Sequence, residues 1–492
     1  MGYFEALWQG FLLLMDPTRF AFLFLGVLLG MTLGAIPGLG GTIGLAILLP
    51  FVFGMEPTFA IALLIGMMAI TTTSDSIPAI MFSVPGTASA AVDLVDGYPM
   101  TKRGEASRAL GAAFSASMTG GIFGAIVLSA SIPIIRPLLR QWMSPEFFML
   151  CILGVVTVGA LSGRRPLKGI LAGGFGLALA TVGIAPAVGH FRFSLGQPYL
   201  FDGIHILVVA LGIFAMPELV DLFMKGSKIA DVPKLGHGVL QGYKDTYKNW
   251  WLVLRSSAIG AWMGFLPGVG ASAGSWIAYG HAVMTEKNGQ FGNGDVRGLI
   301  APEASNNAVR GGELIPTLMF GVPGSAPMAI FLTGLIILGV GIGPQLIERQ
   351  LPLVFSMAWG IALANIMSTA VCSLLIRPIA ALSMVRIHLL APFILLFVLV
   401  GVYQATYNWG DFVGLFLFGL GGWTMKRLGW PRPPLLIGFV LGGLAERYLW
   451  LSHGLFGWSF LYRPWVLIIF GMIICSLVYF MYNKKQRDYL GE

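Results

Sequence analysis

The residues of this chain best suited to bind a ligand lie inside apolar runs. They are glycines, prolines and small hydroxyl residues. One run reads GAIPGLGGTIG at residues 34–44, and a similar run reads GFLPGVGASAG at residues 264–274. Because proline stops a helix and glycine permits positive φ, each run predicts a helix break. Free carbonyls at such breaks bind Na⁺, and free amides bind carboxylates. We predict cation binding or coupling at Gly38, Gly40, Thr42, Gly268, Gly270 and Ser272. Tight glycine-mediated helix packing is the alternative explanation.

A second pair of segments combines a polar stretch with a Pro-Gly step. TTTSDSIP at residues 71–78 precedes VPGT at 84–87, and ASNNAVRGGE at 304–313 precedes VPGS at 322–325. Each reads as a polar turn, a short apolar piece and a break, which predicts a re-entrant helical hairpin. A hydroxyl and free amides at a new helix start suit a carboxylate. The predicted substrate-binding residues are Thr72, Thr73, Ser74, Pro85, Gly86, Thr87, Asn306, Asn307, Pro323, Gly324 and Ser325. Ordinary helix N-caps are the alternative.

Three charged residues accompany these segments. Asp75 and Glu313 occupy equivalent positions, each three residues before a proline. Acids within a membrane are costly and usually functional, so we predict that both take part in cation or proton coupling. Arg310 shares a helical face with Glu313, where it either neutralises that acid or contacts substrate. Placement of all three at a membrane surface is the alternative.

Motifs of bond chemistry are absent from the sequence. Neither the phosphate-binding pattern G-x-x-x-x-G-K-[ST] nor the zinc pattern H-E-x-x-H occurs. The six histidines have no ligand spacing, and the three cysteines lie in apolar runs, which indicates neither a metal site nor disulfides. We therefore predict that the protein is not an enzyme and uses no cofactor, only a coupling ion, Na⁺ or H⁺.

The composition places most of the chain in lipid. Of 492 residues, 56% are apolar and 11% are charged, with a net charge of +8, and the mean hydropathy is +0.82. Residues 20–55, 109–135 and 314–347 contain no charged side chain, and a membrane span needs about 20 mainly apolar residues. We count eleven to thirteen hydrophobic segments and predict an all-α polytopic membrane protein. The charge is spread over short loops, which indicates membrane topology and no nucleic-acid partner.

An internal repeat organises these segments. Six glycine and proline positions between residues 30 and 44 recur 230 residues later, and the Val-Pro-Gly motifs recur 238 residues later. We predict transmembrane repeats at 1–224 and 249–455, a cytoplasmic basic linker at 225–248, and an extra C-terminal helix with a basic tail at 456–492. Without that last helix each repeat crosses an odd number of times, so the repeats should be inverted.

Several motifs resemble those of TctA, the large membrane subunit of tripartite tricarboxylate transporters. They are GxxPGxG at 34–40, VPG at 84–86, DGYxMxKxG at 96–104, ALG at 109–111, APEAxNN at 301–307 and PGS at 323–325. The resemblance implies a multi-pass permease of the bacterial inner membrane. It implies two partners, a small four-span TctB-like subunit and a periplasmic TctC-like solute-binding protein, and a two-repeat bundle with elevator-like movement.

We therefore predict a permease that imports small organic acids, driven by an Na⁺ or H⁺ gradient. The substrate would be a citrate-like tricarboxylate or another di- or monocarboxylate, bound between the two Pro-Gly tips. A passive channel or facilitator for small anions is the alternative, distinguished by flux that needs no cation gradient. An intramembrane enzyme or a scaffold is a third hypothesis, but the sequence offers no catalytic constellation for it.

Overall fold

The chain folds as a bundle of helices. The computed structural model describes residues 2–36, 40–161, 166–224, 236–268, 270–382 and 391–489. The helices of the first half are α1 Tyr3–Leu14, α2 Pro17–Ala35, α3 Gly41–Val52, α4 Pro57–Ser74, α5 Ser76–Phe82, α6 Asp93–Lys102, α7 Ala106–Leu139, α8 Ser144–Leu161, α9 Pro166–Leu179, α10 Ile206–Ala210 and α11 Met216–Met224. Short 3₁₀ helices lie at Ala90–Val92 and Pro198–Leu200, a π turn at Leu211–Ala215, and an antiparallel pair at β1 Gly183–Ile184 and β2 Phe191–Arg192.

The second half repeats much of this order. Its helices are α12 Val239–Lys248, α13 Trp250–Phe265, α14 Gly270–Thr285, α15 Arg297–Phe320, α16 Ala326–Ile337, α17 Pro344–Arg349, α18 Leu351–Leu374, α19 Ile376–Leu382, α20 Ala391–Thr406, α21 Gly410–Arg427, α22 Pro433–Phe456 and α23 Pro464–Tyr489. A 3₁₀ helix, Gly457–Tyr462, joins α22 to α23.

Many of these helices are apolar enough to lie in a membrane. Among the described residues, five helical segments have the length and composition of a span: Pro17–Ala35, Pro57–Phe82, Ala106–Leu139, Leu351–Leu374 and Pro433–Tyr462. Shorter apolar helices lie at Gly41–Val52, Ser144–Gly159, Pro166–Leu179, Ala326–Ile337, Ala391–Gln404 and Pro464–Val478. This confirms the predicted all-α polytopic membrane class.

Local sequence explains where the first spans begin. Pro17 is the first residue of α2, where its missing N–H costs nothing, and Asp16 accepts from the amides of Thr18 and Arg19. Pro57 begins α4 in the same way, and the side chain of Glu56 accepts from the next free amide. An acid and a proline therefore define the start of both helices.

Helices α4 and α15 form the centre of the bundle. α2 packs on α4 and α13 packs on α15, while α7 packs on α15 and α18 packs on α4. Glycines allow these approaches: a Cβ at Gly30 would meet Met67, and one at Gly260 would meet Ser305. These are equivalent pairs in the two halves, which supports the predicted internal repeat. Its inverted orientation stays a prediction.

The polar stretches before the two Pro-Gly steps are helical, so their prediction as turns is wrong. Residues 71–74 belong to α4, and residues 304–313 lie inside α15. Hydroxyls explain this result, because Thr71, Thr72 and Ser76 each donate to a carbonyl three residues back. A helix satisfies such hydroxyls locally, so polarity does not break it.

The second part of the predicted basic linker forms helix α12. Residues 225–235 lie outside the described part of the chain, but α12 packs along α7. Arg108 of α7 pairs with Asp245 of α12 at 2.6 Å, and Ser115 donates to Thr246 at 2.8 Å. This part of the linker is therefore a helix fixed to the first half.

We expect the Gly120→Ala substitution to destabilise the bundle by about 1–3 kcal/mol, because overpacked interiors cost that much. An added Cβ would lie 2.1 Å from the carbonyl oxygen of Ala304, so α7 and α15 would have to separate. Thermal unfolding in detergent measures the effect. Gly174→Ala in α9, where a Cβ meets nothing within 4 Å, is the matched control and should leave the midpoint unchanged or raise it slightly, because alanine favours a helix over glycine. Equal midpoints for both variants would contradict this packing.

Candidate substrate and ion site

Both Pro-Gly tips leave their helices with the same geometry. α5 ends at Ser83 and α15 ends at Gly321, both in the left-handed region with φ of 56° and 71°. The next amide in each half donates back, to the carbonyl of Pro78 at 3.3 Å and of Pro316 at 3.1 Å. This is a left-handed helix C-cap, a backbone conformation that glycine adopts without strain and serine does not. The helix that precedes each Pro-Gly step therefore ends with the same backbone geometry in both halves.

The two breaks of each half lie against one another. α2 ends at Ala35 and α3 begins at Gly41, and in the second half α13 ends at Phe265 and α14 begins at Gly270. A Cβ at Gly40 would lie 2.7 Å from the methyl group of Thr87. In the second half the amide of Gly268 donates to the carbonyl of Gly324 at 2.8 Å.

The proposed Na⁺ ligands are only partly described. Gly38 lies outside the described residues. Thr42 and Ser272 lie half-buried in the first turns of α3 and α14, beside Gly40 and Gly270. Among the described residues, no group of three or more histidines, cysteines and acids is arranged to bind a metal ion. Cation binding at these breaks stays a prediction.

Asp75 faces the tip of its own half. It joins α4 to α5 and is fully buried. Thr87 donates to its Oδ2 at 2.5 Å, and Gly86 lies so close that an added Cβ would be 2.9 Å from the Asp75 Cβ. Thr87 also accepts from the amide of Ala90 at 3.3 Å. A buried acid, a hydroxyl and a new helix start therefore meet at one point.

Glu313 has the equivalent position in the second half. It is fully buried inside α15, and an added Cβ at Gly324 would lie 3.4 Å from its Cγ. Ser325, the equivalent of Thr87, lies beside Glu313 and forms the N-cap of α16. Its hydroxyl has no partner of ordinary hydrogen-bond geometry among the described residues. Each repeat thus pairs one buried acid with one Pro-Gly tip and its hydroxyl.

Arg310 pairs with Glu313, and both side chains are buried. Nη1 donates to Oε2 at 2.8 Å, and Arg310 is 7% exposed. Asp75, Glu313 and Arg310 are therefore buried inside the protein, and the ion pair is consistent with the neutralising role of the two that the sequence left open for Arg310. Their roles in coupling or substrate contact stay predictions. Arg310 Nε and Glu313 Oε1 have no partner among the described residues, so the pair retains one donor and one acceptor.

Two asparagines join the halves. Asn307 donates to the Thr73 hydroxyl at 2.8 Å and to Asn365 Oδ1 at 2.6 Å, and Asn306 donates to the Thr72 carbonyl at 3.3 Å. The predicted residues Thr72, Thr73, Asn306 and Asn307 are therefore brought together between α4 and α15. The side-chain carbonyls of both asparagines have no donor among the described residues. Sequence reasoning missed Asn365 of α18, because a single asparagine in an apolar run carries no motif.

Other predicted residues are less available to a ligand. The Ser74 hydroxyl donates to the carbonyls of Gly30 and Ile70, each at 3.3 Å. No hydrogen bond among the described residues joins the tip at 83–89 to the tip at 321–325. Two surface depressions, one beside Arg19 and one beside Arg377, are not lined by predicted site residues.

The two tips differ in exposure. Val84 of the first tip is 44% exposed, and its equivalent in the second tip, Val322, is 4% exposed. Pro85 is likewise exposed, whereas Pro323 is buried. The first tip is therefore open in this structure and the second is closed.

Several further buried acids were not predicted as site residues, among them Asp93, Asp96 and Glu303. Asp93 and Glu303 lie side by side, and Asp96 binds the loop 286–296. Two of these acids lie in motifs that the sequence shows: Asp96 belongs to DGYxMxKxG, and Glu303 belongs to APEAxNN. Their partners are distant in the sequence, so no local pattern assigns them a role.

Comparison with known proteins assigns the family. The model of the "Tripartite tricarboxylate transporter TctA family" matches residues 20–437. An "Uncharacterized 52.8 kDa protein in TAR-I ttuC' 3'region" of Agrobacterium vitis is 31% identical over 445 residues, which cover 89% of this chain and 88% of that protein. An "Uncharacterized protein in TAR-II ttuC' 3'region" of the same organism is 33% identical over 195 residues, covering 39% of this chain and 79% of that protein. No solved structure matches. The family match and the first relative show that this chain belongs to the tripartite tricarboxylate transporter TctA family.

Proposed function

We propose that the protein is the permease subunit of a secondary transporter that imports small carboxylates across the bacterial inner membrane. A TctC-like periplasmic protein delivers the acid, a TctB-like four-span subunit completes the complex, and an Na⁺ or H⁺ gradient drives uptake. The family assignment supports this system. The observation that carries the proposal is the pair of equivalent tips, each with a buried acid beside a hydroxyl at a helix start.

The tips suggest how a cation and a carboxylate depend on each other. The Thr87 hydroxyl has one proton, which it gives to Asp75, so it cannot donate to a substrate at the same time. A cation or proton on Asp75 would weaken that bond and release the hydroxyl. The substrate carboxylate then binds Thr87 and the amides that follow it, as anions do at helix starts.

The second half supplies complementary donors. Ser325 offers an uncharged hydroxyl donor, and the Asn306 amide has a second N–H besides the one that it donates to the Thr72 carbonyl. Arg310 retains a free Nε donor while its charge is neutralised by Glu313. Such donors hold an anion without leaving an unpaired cation in lipid. The open first tip and the closed second tip support alternating access of the elevator type, because one side of such a site must be closed at any time.

Uptake into proteoliposomes tests the proposal. The chain is reconstituted with both partners, and a panel of labelled mono-, di- and tricarboxylates is supplied. We expect accumulation of at least one acid, dependent on the binding protein and on an inward Na⁺ or H⁺ gradient. Flux that equilibrates without accumulation and ignores the gradient would favour the passive channel.

Substitutions in the second half test the site itself. We expect Ser325→Ala and Asn306→Ala to weaken uptake about 10- to 100-fold while membrane insertion is unchanged. A hydrogen bond to a charged group contributes about 1.5–3 kcal/mol, which corresponds to that range. Ser459→Ala, on an exposed 3₁₀ helix, is the control. Unchanged kinetics in both variants would exclude this position for the substrate.

A further inference from the structure

Asp93 is a buried acid without a donor. It begins α6, directly after the 3₁₀ helix Ala90–Val92, and is 1% exposed. Neither carboxyl oxygen accepts a hydrogen bond from any described residue. A buried ionised carboxylate is normally paired or accepts several hydrogen bonds, because burial without partners is very costly.

The polar group that Asp93 does contact is another acid. Its carboxyl group lies within hydrogen-bonding reach of Glu303, which belongs to α15 and is also 1% exposed. Ser117 of α7 donates to Glu303 Oε2. An ionised carboxylate can only accept hydrogen bonds, so a hydrogen bond between the two acids requires a proton on one of them.

In the part of the chain that the structure describes, the hydrogen bonds and ion pairs around these acids do not compensate two negative charges. Asp75, at the end of α4, faces both acids and adds a third carboxyl. Arg310, the basic group that acts on Asp75, is already paired with Glu313 at 2.8 Å. From α14, Tyr279 donates to Asp96 and not to Asp93. Two like charges at neighbouring buried groups repel, which favours retention of a proton on one of the two acids, as in other carboxyl pairs.

We propose that Asp93 and Glu303 hold one exchangeable proton between them and form a proton-binding site of this permease. The proton bridges an oxygen of each residue, and the Ser117 hydroxyl stabilises the negative charge that remains on the pair. On release the proton leaves to water and the pair carries two negative charges. No bond other than the O–H bond forms or breaks.

The position of the pair makes the proton relevant to coupling. Asp93 comes from the first half, and Glu303 comes from α15 of the second half, on which α7 also packs. Loss of the proton therefore introduces repulsion between segments of the two halves, close to Asp75 and the first tip. This coupling role rests on the proposed function, whereas the proton site itself does not.

Infrared difference spectroscopy tests the site without any transport. The full chain in lipid is examined at neutral pH in H₂O and D₂O for the C=O stretch of a protonated carboxyl. We expect the wild type to show this band and Asp93→Asn to lose one carboxyl equivalent, because an amide can donate to Glu303 in place of the proton. Glu303→Gln should lose the same amount, and the double variant should lose no more than either single variant.

Controls separate the proposal from its alternatives. Glu348→Gln, at an exposed acid, should leave the band unchanged. Additive loss in the double variant would mean two independently protonated acids and would overturn the shared proton. If the Asn and Gln variants do not fold, the exchanged pair Asp93→Glu with Glu303→Asp should retain the band. A wild type without the band at neutral pH would overturn the proposal by itself.

A transport measurement addresses the coupling role. In proteoliposomes with both partners, we expect Asp93→Asn to abolish the acceleration of carboxylate uptake by an inward proton gradient. Wild-type uptake that ignores the proton gradient would overturn the coupling role. Absence of uptake for every carboxylate would contradict the proposed function, while the infrared result would still decide the proton site.

Discussion

Replacement of Asp96 with alanine is expected to remove most of the folded protein. Asp96 is fully buried, and its Oδ1 accepts from the amides of Gly292, Gly294 and Asp295 at 2.8–2.9 Å. Its Oδ2 accepts from the Tyr279 hydroxyl at 3.0 Å. Alanine would leave these donors without an acceptor, at a cost of about 1–3 kcal/mol for each donor that stays buried. Gly292 is exposed, so water can replace the acceptor of its amide, whereas Gly294, Asp295 and Tyr279 are half-buried. The remaining cost is a large part of the whole stability of a domain, about 5–15 kcal/mol.

The loop that Asp96 holds explains the size of this effect. Residues 286–296 join α14 to α15, and the corresponding connection in the first half is only residues 53–56. Gly292 and Gly294 adopt positive φ, which directs their amides to one oxygen. Arg103, also from the first half, donates to the carbonyls of Asn293 and Gly294. These contacts anchor the start of α15 to α6. Helix α15 is the one that contains Glu303 and Glu313.

Fluorescence-detected size exclusion of solubilised membranes, with thermal challenge, measures the folded fraction. Asp96→Asn keeps an oxygen for the three amides and should retain a folded population. Tyr279→Phe removes one donor and leaves the loop amides bound, so it should lower the thermal midpoint only slightly. An Asp96→Ala profile equal to that of the wild type would show that these hydrogen bonds do not hold the loop.

Removal of Arg310 is the second substitution with a large expected effect. Arg310→Met would leave Glu313 as an unpaired charge inside α15, and removing one partner of a buried ion pair costs about 3–5 kcal/mol. We expect Arg310→Met with Glu313→Gln to be clearly more stable than Arg310→Met alone, because the double variant buries no charge. Uptake should stay impaired in the double variant, since the acid at the second tip is then missing.

Thermal midpoints of the two single variants and the double variant form the measurement, as a double-mutant cycle. Arg140→Met is the control, because its pair with Glu348 is exposed and 3.6 Å long, and exposed pairs contribute little. If the effects of the two single substitutions simply add, the buried ion pair has no coupling energy and this account of Arg310 is wrong.

Local chemistry made several features predictable. The four helix breaks follow from proline and glycine, whose effects on the backbone need no distant partner. The equivalence of Asp75 and Glu313 follows from their spacing to Pro78 and Pro316. The membrane class follows from composition, because a soluble fold cannot bury so much apolar surface.

Hydroxyl residues show the limit of local reasoning. Thr71, Thr72 and Ser74 looked like a turn, but their hydroxyls bond to carbonyls of their own helix. Polarity alone does not reveal whether a hydroxyl is satisfied within a helix or breaks it. Here the apolar packing around residues 71–74 favours the helix.

The sequence by itself determined the polytopic membrane class and predicted two related halves, with paired breaks and an acid before each tip. Tertiary structure alone decided which acids meet: Glu303 with Asp93, Glu313 with Arg310, and Asp96 with the loop 286–296. The physical reason is the distance along the chain over which each effect acts. Backbone preferences act over a few neighbouring residues, whereas the charge and hydrogen bonds of a buried side chain depend on helices that are distant in the chain.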